Sequence, residues 1–320
     1  DQTEPTTLLR RLQAAIHRGA RPAAEDWLRR ARHDPTADPG AIRWLAADLA
    51  LLCGDYERVN AILEQCEPQR AATLTRLAAL ALARRDRGAA LAAATQALLA
   101  AHHENDEKSL LEALLVTAEA QRRAGGAAQA LATAERALHL AGTFGCPSAQ
   151  TRALLVQGKS LLRQGRAREA ISVLHRAQSL AHEEGLQQYL AEALHGLAYA
   201  RLDMGDFVGV VPQLARALSI WRDLGLRRAE ARTLQRLASV YDLLGRHEES
   251  MRAIERARRI YESVEDAFGV ARCKYHLAAN ILYREESILT QGIDLAREAI
   301  AVFQRFDEPG WEASALGILG

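Results

Sequence analysis

Residues 229–261 read AEARTLQRLASVYDLLGRHEESMRAIERARRIY, and this stretch decides the fold. Leu234 and Leu237 fall on one stripe of a 3.6-residue helix, so the first half of the stretch predicts a helix with one apolar side. The small side chains of Ala238, on that helix, and of Ala257, on the following one, let two helices approach closely. The stretch therefore predicts a helical hairpin with an apolar seam between its two helices.

The same pattern returns every 40 residues, which identifies the hairpin as a repeating unit. Leucine recurs in one column, at Leu74, Leu114, Leu154, Leu194 and Leu234. Small residues fill the column four positions later, at Ala78, Ala118, Gly158, Ala198, Ala238 and Ala278. Turn glycines follow, at Gly125, Gly165, Gly205 and Gly245. A single hairpin cannot bury its apolar stripe but a stack of hairpins can, so residues 70–303 are predicted to form six antiparallel helix pairs in a right-handed superhelix.

The composition agrees with an all-α fold class, an α-α superhelix without strands. Aromatic residues make up 5% of the chain, which is few for a β protein. Between Gln69 and Glu308 the only prolines are Pro147 and Pro212, so long stretches contain no helix breaker. Pro212 falls early in the second helix of its unit, and that helix is predicted either to begin at Val211 or to kink at the proline.

The first part of the chain follows the repeat less closely. Residues 1–69 carry helical periodicity and are interpreted as degenerate N-terminal hairpins, with Trp27 and Trp44 packed in the seam. Residues 70–320 are interpreted as the repeat segment, with a truncated last repeat. The sequence therefore predicts two segments that meet at residue 69.

The last full unit departs from the pattern. Arg284 and Glu285 stand where the turn glycine is expected, and two residues are interpreted as inserted near Ser287 to Gln291. With that insertion, the end of the sequence matches the start of another hairpin, so the chain is predicted to stop inside a repeat. The apolar edge that this leaves comprises Trp311, Leu316, Ile318 and Leu319. Such an edge is expected to continue into further repeats or to pair with another copy of the chain.

The spacing of the repeat resembles that of the tetratricopeptide repeat (TPR) family over residues 70–320. The resemblance is carried by Leu234, Leu237, Ala238, Tyr241, Gly245, Ile254 and Ala257. The 40-residue period resembles the sensor arms of bacterial signalling proteins, such as the maltose-regulon activator and related LuxR-type regulators. It is also similar to peptide-binding Rap phosphatases and to animal adaptor proteins. The resemblance implies a ligand- or partner-sensing arm of a larger bacterial protein that acts in signalling or transcription regulation.

Charge and cysteine usage limit the other classes of partner. The 41 basic and 40 acidic residues give a net charge of +1, so neither direct nucleic acid binding nor attraction to an anionic membrane is expected. No apolar run reaches the 18 residues of a membrane span. The four cysteines form no C-x-x-C pair, and a reducing cytoplasm fits them. Cys53, Cys66 and Cys273 are predicted to be reduced packing residues that are largely buried.

No motif predicts catalysis. The strongest chemical resemblance is Gly158, Lys159 and Ser160, which match the end of a phosphate-binding P-loop. Ala153 stands where the upstream glycine is required, and the triplet lies in mid-helix rather than between a strand and a helix. No nucleophile is paired with a base by a recognisable local signature. The chain is therefore predicted to be neither an enzyme nor the holder of a metal or cofactor.

The side of each first helix that lies opposite the apolar stripe is the best candidate binding site. Steps of 100° per residue place Arg232 and Arg236 roughly opposite Leu234, and in a TPR-like superhelix that side lines the concave groove. The predicted groove residues are Arg152, Lys159, His195, Tyr199, Arg232, Gln235, Arg236, Arg272, Tyr275 and His276. Their cationic and aromatic groups suit a peptide or an anionic ligand. A solvated helix face is the alternative, and a groove whose charges pair internally would favour a protein interaction scaffold with no small-molecule ligand.

Overall fold

The computed structural model of the protein describes residues 5–207, 209–282 and 289–319. These residues form 17 α-helices and no strand, which confirms the predicted all-α fold class. The helices are α1 (Pro5–Arg18), α2 (Arg21–His33), α3 (Pro39–Cys53), α4 (Tyr56–Leu63), α5 (Ala71–Arg84), α6 (Arg87–Glu104), α7 (Glu107–Arg123), α8 (Ala127–Thr143), α9 (Pro147–Arg163), α10 (Ala167–Glu183), α11 (Gln187–Asp203), α12 (Val210–Asp223), α13 (Arg227–Leu243), α14 (His247–Ser263), α15 (Ala267–Leu282), α16 (Leu289–Arg305) and α17 (Pro309–Gly317).

The chain divides into two compact units. Unit 1 is Asp1–Gly205 and contains α1 to α11, and unit 2 is Asp206–Gly320 and contains α12 to α17. Consecutive helices pair into hairpins inside each unit: α1 to α10 form five hairpins in unit 1, and α13 to α16 form two in unit 2. The fourth of the six predicted pairs, α11 and α12, is divided between the units. The predicted boundary at residue 69 and the right-handed sense of the superhelix remain proposals.

Left-handed backbone conformations end the first helices at the predicted turns. Gly125, Gly165, Gly205 and Gly245 have φ values of 98°, 72°, 81° and 73°. Glycine suits these positions because a side chain beyond hydrogen disfavours positive φ. Asn105, with a φ of 52°, follows α6 in the same conformation, and asparagine tolerates it better than most residues.

The small-residue column lies inside the seams, as predicted. Ala78, Ala118, Ala198, Ala238 and Ala278 are each at most 1% exposed. Gly158 shows why the column is small, because a Cβ added there would lie 2.5 Å from Cγ of Leu174. Such a distance is far below van der Waals contact, so α9 and α10 approach each other through this glycine.

The tryptophans of the first two hairpins are partly buried against their neighbours. Trp27 packs against the apolar cluster of α1 to α3, and the guanidinium carbons of Arg11 and Arg30 lie 5.1 and 4.8 Å from its ring centroid. Nε1 of Trp44 donates a hydrogen bond to Oγ1 of Thr73 at 3.4 Å. Both rings therefore help to join neighbouring helices of unit 1.

Pro212 lies in the first turn of α12, which begins at Val210. The helix therefore starts late rather than kinking, which confirms the first of the two predicted alternatives to within one residue. Proline is tolerated there because the first amide groups of a helix have no intrahelical acceptor.

The prediction for the cysteines is only partly right. None of the four forms a disulfide, and Cys273 is buried, but Cys53 is exposed and Cys66 is half-buried. Cys53 is the last residue of α3, immediately before the chain turns at Gly54, and side chains beside a surface turn are commonly exposed. Burial raises the pKa of the Cys273 thiol to about 12, as expected for a packing residue.

The last hairpin is formed by α15 and α16, and α17 packs on α16. The substituted turn at Arg284 and Glu285 lies outside the described residues, as do part of the insertion near Ser287 to Gln291 and the terminal Gly320. In the described ranges, no helix has both the length and the apolar character needed to cross a membrane.

Candidate binding faces of the first helices

The first helices of successive hairpins lie side by side within each unit. In unit 1, α3, α5, α7, α9 and α11 pack on one another in that order, and in unit 2 α13 packs on α15. The predicted groove residues fall on these helices, but in two units, and they form two separate candidate sites. The unit 1 face carries Arg152, Lys159, His195 and Tyr199, and the unit 2 face carries Arg232, Arg236, Arg272, Tyr275 and His276.

Both predicted cations of the unit 1 face form ion pairs between neighbouring first helices. Nη1 of Arg152 lies 2.7 Å from Oε2 of Glu112, and Nζ of Lys159 lies 2.5 Å from Oε2 of Glu192. Burial by itself would raise the pKa of Glu112, but the positive charges around it, with Arg152 foremost, together lower that pKa. The two charges that the sequence offered for ligand binding are therefore used inside the unit.

Further ion pairs extend this arrangement along unit 1. Nη2 of Arg76 lies 2.5 Å from Oδ2 of Asp48, and Glu119 accepts hydrogen bonds from Arg122 at 2.6 Å and from Arg123 at 2.7 Å. Sequence reasoning missed these acidic partners. The overlooked signal is that the sign of the charge alternates along one 40-residue column, at Glu112, Arg152, Glu192 and Arg232, before Arg272 breaks the alternation.

The chain's own first helix also lies near the unit 1 face. Helix α1 packs on α3 and on α11, the first and last of the stacked first helices. His17, in the last turn of α1, is half-buried, and burial lowers its pKa; Arg152 lowers it further, whereas Glu112 and Asp48 oppose that effect. Hence a side chain of α1 lies within electrostatic range of Asp48 on α3, Glu112 on α7 and Arg152 on α9.

The two predicted ring residues of the unit 1 face differ in access. His195 is 7% exposed, and its ring stacks on that of Tyr199 with a centroid distance of 5.9 Å. Tyr199 is 38% exposed. Of this pair only Tyr199 offers substantial surface to a partner.

Gln235 of unit 2 lies in the interior rather than in the predicted groove. Gln235 is 1% exposed; its Nε2 donates to Sγ of Cys273 at 3.3 Å, and its Oε1 accepts from the hydroxyl of Tyr261 at 3.0 Å. It directly follows Leu234 in the helix and so lies beside the apolar stripe. Gln235 is thus a structural residue, and its assignment to the groove was wrong.

Three of the other predicted residues of unit 2 surround the ring of Trp311, a residue predicted to belong to the apolar edge. The guanidinium carbon of Arg272 lies 4.8 Å from the ring centroid of Trp311, a cation–π distance. The rings of Tyr275 and His276 lie 5.8 and 6.5 Å from Trp311. Residues from α15 and α17 therefore meet on the unit 2 face, while Arg232 stays exposed on α13.

The positive charges of this cluster act on one another's neighbours and shift their pKa values. Burial, and then the charge of Arg272, lowers the pKa of Arg236 to about 10. The same combination, with Arg272 and Arg236 both acting, lowers the pKa of His276 to about 4, against the opposing effect of Asp242. His276 is therefore neutral at pH 7, and the charge of Arg272 disfavours the protonated form of Arg236.

No group of three or more His, Cys, Asp or Glu side chains in the described part of the chain is placed to hold a metal ion. The chemistry that the two faces offer is hydrogen bonding, charge and aromatic stacking. These are the means of binding a partner.

Comparison with known proteins connects the hairpins to a family. The family model for the tetratricopeptide repeat matches residues 189–263. No curated protein matches the sequence. The match falls on α11 to α14, and it includes the residues from Leu234 to Ala257 whose spacing carried the resemblance.

Solved structures show the same fold over nearly the whole chain. A Rap protein complexed with Competence and Sporulation Factor is 13% identical, with a TM-score of 0.73 over 98% of this chain and 95% of that one. NprR in complex with its cognate peptide NprX is 13% identical, with a TM-score of 0.65 over 98% and 97%. The Cut9–Hcn1 structure of APC/C is 15% identical, with a TM-score of 0.70 over 97% and 55%. The stacked hairpins and these likenesses show that the chain has the fold of a tetratricopeptide-type helical-repeat protein, and the family model matches part of it.

Proposed function

We propose that this chain is a binding module that holds a peptide or a segment of a partner protein against its first helices. The observation that carries the proposal is the unit 2 face, where half-buried arginines and aromatic rings from successive first helices stand together. Arginine and aromatic side chains are the types most enriched at binding hot spots. Two proteins of similar fold, the Rap protein and NprR, were solved with a factor or a peptide bound.

The finer proposal concerns the role of the binding. We propose that the chain is the sensing arm of a larger bacterial protein of the cytoplasm, which acts in signalling or in transcription regulation. The ligand is a peptide or another anionic molecule, because the unit 2 face concentrates positive charge although the whole chain is close to neutral.

Unit 1 favours the second candidate, a protein interaction scaffold with no small ligand. Arg152 and Lys159 are occupied by Glu112 and Glu192, and α1 packs on two of the same helices. A face whose charges pair internally gives little to an anionic ligand. A site for an anionic ligand is therefore expected on unit 2.

Selection from a displayed library of random 12-residue peptides on the immobilised chain tests the proposed function. Peptides that bind the wild type should lose at least tenfold in affinity for Arg272→Glu, because the change reverses a charge in the middle of the unit 2 face. Arg259→Glu is the matched control, since it makes the same change at an exposed position on α14, a second helix of the same unit. Equal affinity for the wild type and both variants would exclude the unit 2 face as the site.

A further inference from the structure

Helix α6, the second helix of its hairpin in unit 1, differs from its neighbours in what it presents to solvent. Between Arg87 and His102 it has no charged residue, and this stretch reads GAALAAATQALLAA. The equivalent stretches of α8 and α10 carry exposed charges, such as Glu135 and Arg176. A helix that is apolar on every side is normally buried on every side, so the open side of α6 is a candidate contact surface.

The open side of α6 carries large apolar side chains. Its inward side packs through four alanines, Ala90, Ala94, Ala97 and Ala101. On the open side, Leu99 is 67% exposed and Leu91 is 36% exposed. The hydroxyl of Thr95, which lies between them, donates to the carbonyl oxygen of Leu91 at 2.8 Å, so this side chain adds little polarity. Gly88 and Ala92 are also exposed, and such small residues allow a second helix to approach closely.

The exposed stripe of α6 is symmetric about Thr95. At 100° per residue, Gly88, Leu91, Leu99 and His102 all lie within about 40° of Thr95 around the helix. Leu91 and Leu99 are each four residues from Thr95, and Gly88 and His102 are each seven residues from it. In an antiparallel pair with a twofold axis at Thr95, Leu91 is level with Leu99 of the second copy, and Gly88 is level with His102. The stripe therefore matches itself, as a contact between two identical chains requires.

The two ends of α6 carry opposite charges, which favours the same antiparallel orientation. Residues 84–87, at its start, read RRDR, and residues 104–107, at its end, read ENDE. Arg84 also pairs with Glu57 at 3.2 Å, so the charge at the start is smaller than these letters indicate but remains positive. An antiparallel pair brings the basic start of each copy beside the acidic end of the other, and such complementarity fixes the register of a contact.

We propose that the open side of α6 binds a second copy of this chain, through an antiparallel pair of α6 helices whose twofold axis passes Thr95. The contact is separate from the apolar edge of α17, which belongs to unit 2. The helix is about 27 Å long and about 10 Å wide, so its face is smaller than the roughly 800 Å² that each partner buries in a stable interface. The contact is therefore weak, and chemical trapping detects it better than the mass of the free protein does.

Crosslinking of single cysteines in the whole chain with a short bis-maleimide tests the contact. The parent protein carries Leu316→Glu, which removes the α17 edge, and the more accessible native cysteines are replaced in it: Cys53→Ser, Cys66→Ser and Cys146→Ser. Thr95→Cys should crosslink to a second copy at least fivefold more than His175→Cys does. His175 is the matched control, because it is exposed at the equivalent position of α10, two repeats later. Equal yields at the two positions would overturn the proposal.

Gly88→Cys and His102→Cys test the orientation of the pair. A Cβ at Gly88 meets only Oδ1 of Asp86, at 3.7 Å, so the helix accepts this substitution. In the antiparallel pair the two copies of position 88 lie about 21 Å apart along the helix, beyond the reach of the crosslinker. A mixture of the two variants should therefore crosslink at least fivefold more than either variant alone. If Gly88→Cys alone crosslinks as well as the mixture, the antiparallel arrangement is wrong.

Substitutions added to Thr95→Cys test the two forces that hold the pair, and circular dichroism checks that each variant keeps its helicity. Leu99→Glu should lower the crosslinking at least fivefold, whereas Leu243→Glu, at a position 60% exposed on α13, should leave it unchanged. Arg87→Glu and Glu107→Arg should each lower it, and the two together should restore at least half of the yield, because reversing both ends makes them complementary again. A folded Leu99→Glu variant with the full yield, or a double reversal without recovery, would contradict the proposed pair.

Discussion

At the scale of single residues, arginines at equivalent positions of the repeat make different contacts because their neighbours differ. Arg152 has Glu112 beside it and forms an ion pair, whereas Arg272 has a second arginine nearby and lies on an indole ring. Both belong to one column of the repeat. The repeat therefore fixes where an arginine lies, and the adjacent helix determines whether its charge is available to a ligand.

The low pKa of His276 predicts a pH dependence of stability that one substitution removes. Burial and the nearby arginines lower its pKa from 6.5 to about 4. Between these values the unfolded chain takes up a proton that the folded chain does not, so the free energy of unfolding falls as the pH falls through this window. The full effect is on the order of 3 kcal/mol at about 1.4 kcal/mol per pKa unit. His276→Gln should therefore lose less stability than the wild type between pH 7 and pH 4, as measured by urea unfolding.

The exposed His103 provides the control for this measurement. His103→Gln should lose as much stability on acidification as the wild type does. If His276→Gln and the wild type lose equal amounts, burial does not disfavour the charged imidazole and the argument fails.

At the scale of helices, one buried carboxylate joins three elements of unit 2. The side chain of Glu230, on α13, is 0% exposed. It accepts hydrogen bonds from Arg222 on α12 at 3.1 Å, from Arg227 on its own helix at 2.7 Å and from Arg256 on α14 at 3.2 Å. Three charged hydrogen bonds offset the cost of burying this carboxylate, so the contact fixes how α12 and α14 pack on α13.

Glu230→Ala should lower the free energy of unfolding by about 2 kcal/mol, because it removes the charged hydrogen bonds that join α12 and α14 to α13, while the arginines left behind are partly solvated. Glu249→Ala is the comparison, since Glu249 pairs with Arg246 at a site where both side chains are more than a third exposed, and such pairs contribute less than about 1 kcal/mol. Urea unfolding measures both changes. Similar losses in the two variants would mean that burial adds nothing to the Glu230 contact.

At the scale of the whole molecule, stability and association are properties of stacked neighbours. Within each unit, neighbouring hairpins contact one another, so each unit depends on nearest-neighbour interfaces. Helix α17 packs on α16 and presents Leu316, which is 51% exposed, together with the half-buried Ile318 and Leu319. Apolar side chains gathered in this way favour a contact with another chain.

We expect this apolar edge to make the chain self-associate. Light scattering coupled to chromatography should show a mass that rises with concentration, and Leu316→Glu should shift the protein to the monomer. Leu243→Glu is the matched control, because Leu243 is 60% exposed but lies at the end of α13. A monomer at every concentration, or an equal effect of the two substitutions, would exclude the α17 edge as the contact.

Periodicity in the sequence was enough to predict the helices, their turns and the residues of their seams. Periodicities of 3.6 and 40 residues express local geometry, and they predicted a buried Gly158 and a turn at Gly245 without any knowledge of neighbouring helices. The tertiary structure, in contrast, sets the pairing of the charges, since Lys159 meets Glu192 from α11 and Trp311 reaches Arg272 from α17. It also placed Gln235 in the interior and divided the chain after Gly205. Periodicity ranks the positions of one helix from apolar to exposed, whereas the pairing of a charge depends on the side chain that the adjacent helix happens to bring beside it.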